Sequence, residues 1–223
     1  MQNIVPVEVA AADRTLAARR EQYAGEVRRL IDAAFAVMAR TGDIDPQVRD
    51  IVKAAGLSNQ AFYRHFASKD ALMLAVLADG QRQLVQYLEQ RIATMRDPTE
   101  QVRRWIEGVL AQARNARAAE ATRPFALNGA RLADRFPEEH AQTRAELRAT
   151  LTPAVGALGG STQDAAFVCD LALARMNDAI AHRRRPHPDE IANLVAFCLA
   201  GIKHRADAAE PRTAPRGSHR HGT

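Results

Sequence analysis

Residues 48 to 66 of the chain read Val48-Arg49-Asp50-Ile51-Val52-Lys53-Ala54-Ala55-Gly56-Leu57-Ser58-Asn59-Gln60-Ala61-Phe62-Tyr63-Arg64-His65-Phe66. Gly56 interrupts the helical pattern, and Ser58 follows as a good helix N-cap. The pattern therefore predicts two short helices joined by a glycine-containing turn, which is the geometry of a helix-turn-helix. In that motif the second helix can lie in the major groove of DNA.

The start of the first short helix is indicated by two residues that precede it. Asp45 is a favourable N-cap, and Pro46 suits the first helical position. We therefore expect this helix to begin at Asp45-Pro46 and to run to about Ala55. We expect the second helix to run from Asn59 to about Phe66.

Helical spacing divides these side chains between two faces. The apolar face points toward the preceding long helix and comprises Ile51, Ala55, Leu57, Phe62 and Phe66. The outer face of the second helix then presents Asn59, Gln60, Tyr63, Arg64 and His65. Asn and Gln side chains suit base edges, and Tyr, Arg, His and Lys side chains suit phosphate oxygens.

Together with the residues that follow, this stretch resembles the tetracycline-repressor (TetR) family of bacterial transcription regulators. The shared pattern is Ala55-Gly56, Ser58, Phe62-Tyr63-Arg64-His65-Phe66 and Ser68-Lys69-Asp70-Ala71-Leu72. The resemblance covers about residues 24 to 84. It implies a cytoplasmic, homodimeric regulator that binds double-stranded DNA and responds to a small molecule.

The resemblance also implies roles for individual side chains. Tyr63, His65 and Lys69 are expected to contact phosphates, and the helix face of Asn59, Gln60, Ala61 and Arg64 is expected to contact bases. The family usually has Ser or Thr where the first short helix opens, and this chain has Gln47-Val48. We expect Asp45 to replace that cap and Arg49 to replace its phosphate contact. The predicted DNA-binding residues are Arg49, Ser58, Asn59, Gln60, Ala61, Tyr63, Arg64, His65 and Lys69.

The rest of the chain predicts further helices and no strands, because apolar residues recur at helical spacing and do not alternate. Helices are expected at about 19–41, 68–95, from 98, 138–155, 161–181 and 188–204, with a less regular stretch at 123–137 that holds a short helix. The expected all-α organisation is a flexible arm (1–18), a helix-turn-helix domain (19–68, motif 47–66), a helical effector-binding and dimerisation domain (69–205) and a flexible basic tail (206–223).

The last two helices carry more apolar residues than one core contact needs. The final helix has a stripe of Ile191, Leu194, Val195, Cys198 and Ile202, widened by Phe197 and Leu199. A four-helix dimer interface is the simplest interpretation, and one thick intramolecular core is the alternative. The expected interface residues are Phe167, Leu171, Leu194, Phe197 and Cys198.

An effector pocket is the second expectation for the C-terminal part. Trp105 and Phe125 can line an apolar pocket, with Asn128 and Arg131 as polar contacts. Packing of the same residues in an ordinary core explains the pattern equally well. No residue identifies the ligand. We expect the regulator to be a repressor that binds a palindromic operator and is released from it by the ligand.

Composition limits the other classes of protein. The chain has 223 residues, a net charge of +5, a pI near 9.7 and 2 cysteines, which permits a polyanionic partner and gives no support for a disulfide-stapled secreted fold. No apolar run approaches a membrane span, so no membrane partner is expected. Nucleophile, metal and phosphate-loop motifs are missing, so we expect no catalytic residues, cofactor or metal. The alternatives are an all-helical hydrophobic-ligand carrier or enzyme with an incidental helix-turn-helix, and a protein-interaction module.

Overall fold

The computed structural model describes residues 7–209, with side chains described for residues 14–205. Within this part of the chain every regular element is an α-helix, so the all-α fold class is confirmed. The helices are α1 (Val7–Thr41), α2 (Val48–Ala55), α3 (Asn59–His65), α4 (Lys69–Ile92), α5 (Pro98–Arg114), α6 (Ala116–Leu127), α7 (Gly129–Arg135), α8 (Pro137–Ala157), α9 (Thr162–Ala181) and α10 (Pro188–Ala209).

The two short helices α2 and α3 form the helix-turn-helix. Gly56 ends α2 in the left-handed conformation, at φ +64°, which glycine adopts without the steric cost of a Cβ. Ser58 begins α3, and its side chain accepts a hydrogen bond from the Ala61 backbone N–H at 3.1 Å. The turn is therefore fixed at both ends by local chemistry that the sequence predicted.

The start of α2 differs from the expectation. Its N-cap is Gln47, which makes no side-chain capping hydrogen bond. Asp45 does not cap the helix, because its side chain is engaged by Lys69 and Arg135. The predicted Asp45 cap was wrong. The Asp45 carboxylate forms ion pairs with residues far along the chain and does not bind the backbone at the start of α2.

A first apolar core holds the helix-turn-helix against α1 and α4. It contains Leu30 and Met38 of α1, Ile51 of α2, Phe62 of α3 and Val76 of α4, all almost inaccessible to solvent. The predicted inward residues Ala55 and Phe66 are buried in this core, and Leu57 packs against it. Two residues from much later in the chain complete it, namely Leu132 of α7 and the following Phe136.

A second apolar core organises the C-terminal helices. Trp105 of α5 lies fully buried at its centre, and its indole N–H donates to the Thr150 hydroxyl of α8 at 2.7 Å. Helix α5 packs closely against α4 at Gly108, where a Cβ would stand 2.8 Å from Leu88 Cδ2. Helices α8, α9 and α10 supply the rest of this core, including both cysteines.

Two predicted helix starts are confirmed. The Asp97 side chain accepts a hydrogen bond from the Thr99 N–H at 3.1 Å, with Pro98 in the first turn. Ser161 and Asp164 form a reciprocal capping box at the start of α9. Such caps satisfy backbone N–H groups that have no partner within the helix.

Other helix boundaries in the structure differ from the predicted ones. Helix α1 begins at Val7, well before the expected start near residue 19, so the predicted arm is helical over residues 7–18. Residues 1–6 of that arm, and residues 210–223 of the predicted tail, lie outside the part that the structure describes. The stretch at residues 123–137 contains the expected short helix, α7, but most of its other residues are also helical, in the end of α6 and the start of α8. Pro124 lies inside α6, where its missing N–H gave the misleading signal.

Cys169 and Cys198 are free and buried. Burial raises the pKa of each thiol to about 11, because the thiolate loses its hydration. Both side chains therefore stay neutral and pack as small apolar groups. Among the described helices, none is long and apolar enough to cross a membrane.

Candidate nucleic-acid interface and effector cavity

The outward face of α3 is an exposed polar surface of the helix-turn-helix. Asn59 and Gln60 are exposed in its first turn. Tyr63, one turn further, has 60% of its surface accessible. The Tyr63 ring rests edge-on against the buried Phe62 ring at a centroid distance of 5.1 Å, which leaves its hydroxyl toward solvent. Two amides and a phenol are thus presented on one helical face.

Ala61 does not belong to this face. It is 6% exposed and packs inward beside Phe62. Its predicted place among the base-contacting residues is corrected, because the helix turns Ala61 toward α1 and α2. The groups available for base contact on α3 are therefore Asn59 and Gln60, with Arg64 at the far end.

A carboxylate from α1 holds the far end of α3. Glu26, which is 7% exposed, accepts from Arg64 Nη2 at 2.5 Å and lies 2.6 Å from His65 Nε2. The hydrogen bonds from His65 and Arg64 lower the pKa of Glu26 to about 2, although burial acts in the opposite direction. The carboxylate is therefore charged throughout the physiological range, and the contact is lost only when the pH falls toward about 2.

His65 is corrected as a phosphate contact. Its side chain is completely buried, with Nε2 on Glu26 and the ring edge-on to Tyr23 at 4.2 Å. The other ring nitrogen, Nδ1, is buried and has no hydrogen-bond partner among the described residues. His65 therefore joins α3 to α1, and it cannot reach DNA without leaving the core.

Sequence reasoning missed Glu26, although a signal was present. Glu26 lies one helical turn before Leu30, on the apolar stripe of α1. An acid on a buried stripe predicts a buried partner, because an unpaired charge there is costly. The partners Arg64 and His65 lie 38 and 39 residues further along the chain, which no local pattern connects.

The remaining predicted contact residues lie around α3. Arg49 is exposed near the start of α2, with its guanidinium 3.8 Å from the neighbouring Asp50 carboxylate. Ser58 is occupied as a cap. The Lys69 ammonium lies 2.8 Å from Asp45, and 32% of the Lys69 side chain is exposed. This ion pair with Lys69 is the largest cause of the lowered pKa of Asp45.

A cavity of about 640 Å³ opens between the two cores. Its walls come from α1 and from α4 to α9, and they are mainly apolar. Aromatic side chains form part of the wall, with Phe35 and Phe125 edge-on to each other at 5.6 Å. Polar groups also line the cavity, namely Gln81, Gln83, Tyr87, Gln112, Asn115, Thr122, Glu139, His140, Thr143, Arg144 and Asn177.

Three of the four residues predicted for the effector pocket lie elsewhere. Trp105 is enclosed in the C-terminal core, and Arg131 is exposed on α7. Asn128 is folded back onto the chain, because its amide N–H donates to the Pro124 carbonyl at 2.8 Å. Phe125 does line the cavity. The apolar periodicity of α5 predicted a helix with a buried face. Such a pattern does not distinguish side chains that pack in a core from side chains that line a cavity.

The predicted dimer residues separate into three groups by exposure. Phe167 on α9 and Phe197 on α10 are 53% and 70% exposed. Leu171 and Leu194 are half-buried against the C-terminal core. Cys198 is 5% exposed and belongs inside that core, so its expected place on an outer interface is corrected.

The fold and these surfaces define an all-helical helix-turn-helix protein with a cavity-containing C-terminal part. A family model described as bacterial regulatory proteins of the tetR family matches residues 30–76. The sequence resemblance to the TetR family is therefore confirmed over residues 30–76, which include α2 and α3.

Individual relatives agree with this assignment. An HTH-type transcriptional regulator named BetI, from Brucella anthropi, is 35% identical over 75 residues, which is 34% of this chain and 39% of that protein. The matched segment thus spans about two fifths of this curated relative. A solved transcriptional regulator from Rhodococcus sp. superposes with a TM-score of 0.65 at 24% identity, covering 81% of this chain and 97% of the other. Salmonella enterica GusR gives a TM-score of 0.63 at 20% identity, covering 80% and 95%. These two structures show a shared fold.

Proposed function

We propose that the protein is a transcriptional repressor that binds a palindromic DNA operator as a homodimer and is released by a small apolar ligand. The observation that carries the proposal is the exposed face of α3, where Asn59, Gln60 and Tyr63 stand on a helix whose opposite side is packed into a core. A helix held in this way can be inserted into a major groove without losing its own support.

Two kinds of contact with DNA follow from this surface. Gln60 and Asn59 each carry an amide that can donate and accept, so they suit base edges. Tyr63, Arg49 and Lys69 suit phosphate oxygens, which fix the docking register without reading sequence. Arg64 can add a contact through the part of its side chain that is not held by Glu26, since 55% of that side chain is exposed.

A direct test compares Gln60→Ala and Tyr63→Ala with the wild type on duplexes that the wild type selects from a random-sequence pool. Gln60→Ala is expected to relax preference at one base pair of each half-site, by about 1–3 kcal/mol. Tyr63→Ala is expected to weaken binding to all sequences by a similar factor, because it removes a contact that carries no sequence information. Fluorescence anisotropy across a salt series measures both effects.

Two controls accompany that test. Tyr63→Phe keeps the ring and removes only the hydroxyl, so it separates a phosphate hydrogen bond from packing on Phe62. Gln90→Ala, a change of the same type at an exposed position near the end of α4 and far from α3, should leave DNA affinity unchanged. Selection of no duplex by the wild type, together with a salt-independent background, would contradict the proposed function.

Support for a homodimer comes from the outer face of α9 and α10. Phe167 and Phe197 are large apolar side chains left in contact with water. Small exposed residues surround them, including Ala174, Ala196 and Ala200, and small side chains allow close helix approach. Two copies joined here would present two α3 helices related by a twofold axis, as a palindromic operator requires.

Support for a ligand comes from the cavity. Its volume of about 640 Å³ lies within the range of small-molecule sites. Arg144 is already paired with Asp170, and the Tyr87 hydroxyl accepts from Arg91 at 3.2 Å. With its arginine already engaged, a cavity whose exposed lining is mainly apolar favours a neutral apolar molecule over an anion. A ligand that prefers a protein conformation with misplaced α3 helices would release the DNA.

Leu84→Asp tests the cavity with N-phenyl-1-naphthylamine, a neutral apolar dye whose fluorescence rises in apolar sites. The wild type is expected to bind the dye, and Leu84→Asp is expected to weaken binding at least about tenfold, because the ligand must then desolvate a carboxylate. Fluorescence titration measures the dissociation constants.

The matched control is Gln86→Asp, which adds the same charge to an exposed position of the same helix α4. It should bind the dye as the wild type does. Equal loss in both variants, or no dye binding by the wild type, would argue against a ligand site in this cavity.

A hydrophobic-ligand carrier is the second candidate function, and the same cavity favours it. The two functions differ in their dependence on DNA. A carrier would bind the dye and select no duplex from the random pool. A regulator would do both, with DNA affinity falling as the cavity fills.

A further inference from the structure

Residues in and just after helix α7 contribute both to the wall of the cavity and to the N-terminal core. Leu132 and Phe136 line the cavity, and the same two side chains are buried in the N-terminal core with α1 to α4. Any ligand that displaces them must therefore also disturb the packing beneath the helix-turn-helix. Arg135 lies between them on the chain and points toward that domain.

Arg135 is bound to the helix-turn-helix domain by ion pairs. Its Nη1 lies 3.5 Å from Asp45 Oδ1, and its Nη2 pairs with Asp70 at the start of α4. Its guanidinium also stands 5.2 Å from the centre of the Phe136 ring. The arginine is thus held on one side by two carboxylates and on the other by a ring that lines the cavity.

Asp45 is shared between two cations. Its Oδ1 lies 2.8 Å from Lys69 Nζ as well as 3.5 Å from Arg135. A DNA phosphate would compete with the Asp45 carboxylate for the Lys69 ammonium. Arg135 favours the phosphate in this competition, because a second cation compensates the Asp45 carboxylate when Lys69 turns toward DNA. Loss of Arg135 leaves Asp45 wholly to Lys69.

We propose that Arg135 links the cavity to the DNA-binding surface by competing with Lys69 for Asp45. Displacement of Leu132 and Phe136 by a ligand withdraws Arg135, strengthens the Asp45–Lys69 pair and lowers DNA affinity. The proposal rests on the proposed function, and it assigns Arg135 the role of a positioning residue for Lys69.

The test is a double-mutant cycle in the full-length protein, with Arg135→Ala, Asp45→Asn and the double variant, on a duplex selected by the wild type. Arg135→Ala is expected to weaken DNA binding about threefold to tenfold. Asp45→Asn is expected to leave binding equal or stronger, because it frees Lys69. In the Asp45→Asn background, Arg135→Ala should change affinity less than about twofold.

Arg131→Ala is the matched control, since Arg131 is exposed on the same helix and carries the same charge. Its effect measures the general loss of one positive charge near DNA, and it should be less than about twofold. Arg135→Lys should recover much of the wild-type affinity if charge at this position is what matters. Thermal unfolding of every variant separates these effects from loss of fold.

The outcomes distinguish this proposal from the one beneath it. If the wild type selects no duplex, the proposed function falls, and this inference with it. Additive effects of Arg135→Ala and Asp45→Asn, or an equal effect of Arg131→Ala, would overturn the role of Arg135 alone. The cavity link is tested with N-phenyl-1-naphthylamine, which is expected to lower DNA affinity of the wild type and not of Arg135→Ala. A bound dye that lowers neither affinity, or both equally, would overturn that link.

Discussion

Replacement of Phe62 by alanine is expected to lower the free energy of unfolding of the helix-turn-helix domain by about 3–5 kcal/mol. Phe62 is completely buried and packs among α1, α2 and α4, so its removal leaves a cavity that the surrounding helices cannot easily fill. The loss is comparable with the whole stability of many small domains. Far-UV circular dichroism during chemical unfolding measures the change.

Tyr63→Ala is the matched control, because it removes a neighbouring aromatic ring from the same helix. Tyr63 is 60% exposed, so its loss is expected to change stability by less than about 1 kcal/mol. The two variants should therefore separate folding from DNA contact: Phe62→Ala loses both, and Tyr63→Ala loses only binding. Equal destabilisation by the two would contradict the division of α3 into a buried and an outer face.

Phe197→Asp is expected to convert a homodimer into monomers and to lower operator affinity by about 100-fold or more. A carboxylate at the centre of an apolar interface would be desolvated without a partner. A monomer would also place only one α3 on a two-part operator. Sedimentation velocity at micromolar protein concentration measures the first effect, and fluorescence anisotropy measures the second.

Leu127→Asp provides the comparison for that variant. Leu127 is another large apolar side chain exposed to solvent, at 48%, but it belongs to the C-terminal end of α6 and not to the outer face of α9 and α10. The Leu127→Asp protein should remain dimeric and bind DNA as the wild type does. A Phe197→Asp protein that sediments as a dimer would exclude this face as the interface.

The helix-turn-helix was predictable because local chemistry determines it. Gly56, Ser58 and the apolar spacing through Phe62 each act within a few residues, and all three indicate the same structure. The capping box at Ser161 was readable for the same reason. Where neighbouring residues settle the conformation, the sequence and the structure agree.

The predictions that the structure contradicts share a different cause. Asp45 could not be recognised as an ion-pair partner of Lys69 and Arg135 from its neighbours, since those cations lie 24 and 90 positions away in the chain. His65 has the spacing of an exposed residue, but its side chain is buried, and its Nε2 lies 2.6 Å from Glu26. Trp105 and Phe125 both have the pattern of buried helix residues, and only the packing of α5 and α6 assigns one to a core and the other to a cavity.

The arrangement of the two cores also decides which part of the molecule an optical signal reports. The chain has 1 tryptophan and 2 cysteines, and all three side chains lie in the C-terminal core. Intrinsic tryptophan emission and thiol labelling therefore follow the unfolding of that core alone. Melting of the helix-turn-helix by itself would leave both signals unchanged, so a protein unable to hold DNA would still look intact by either method.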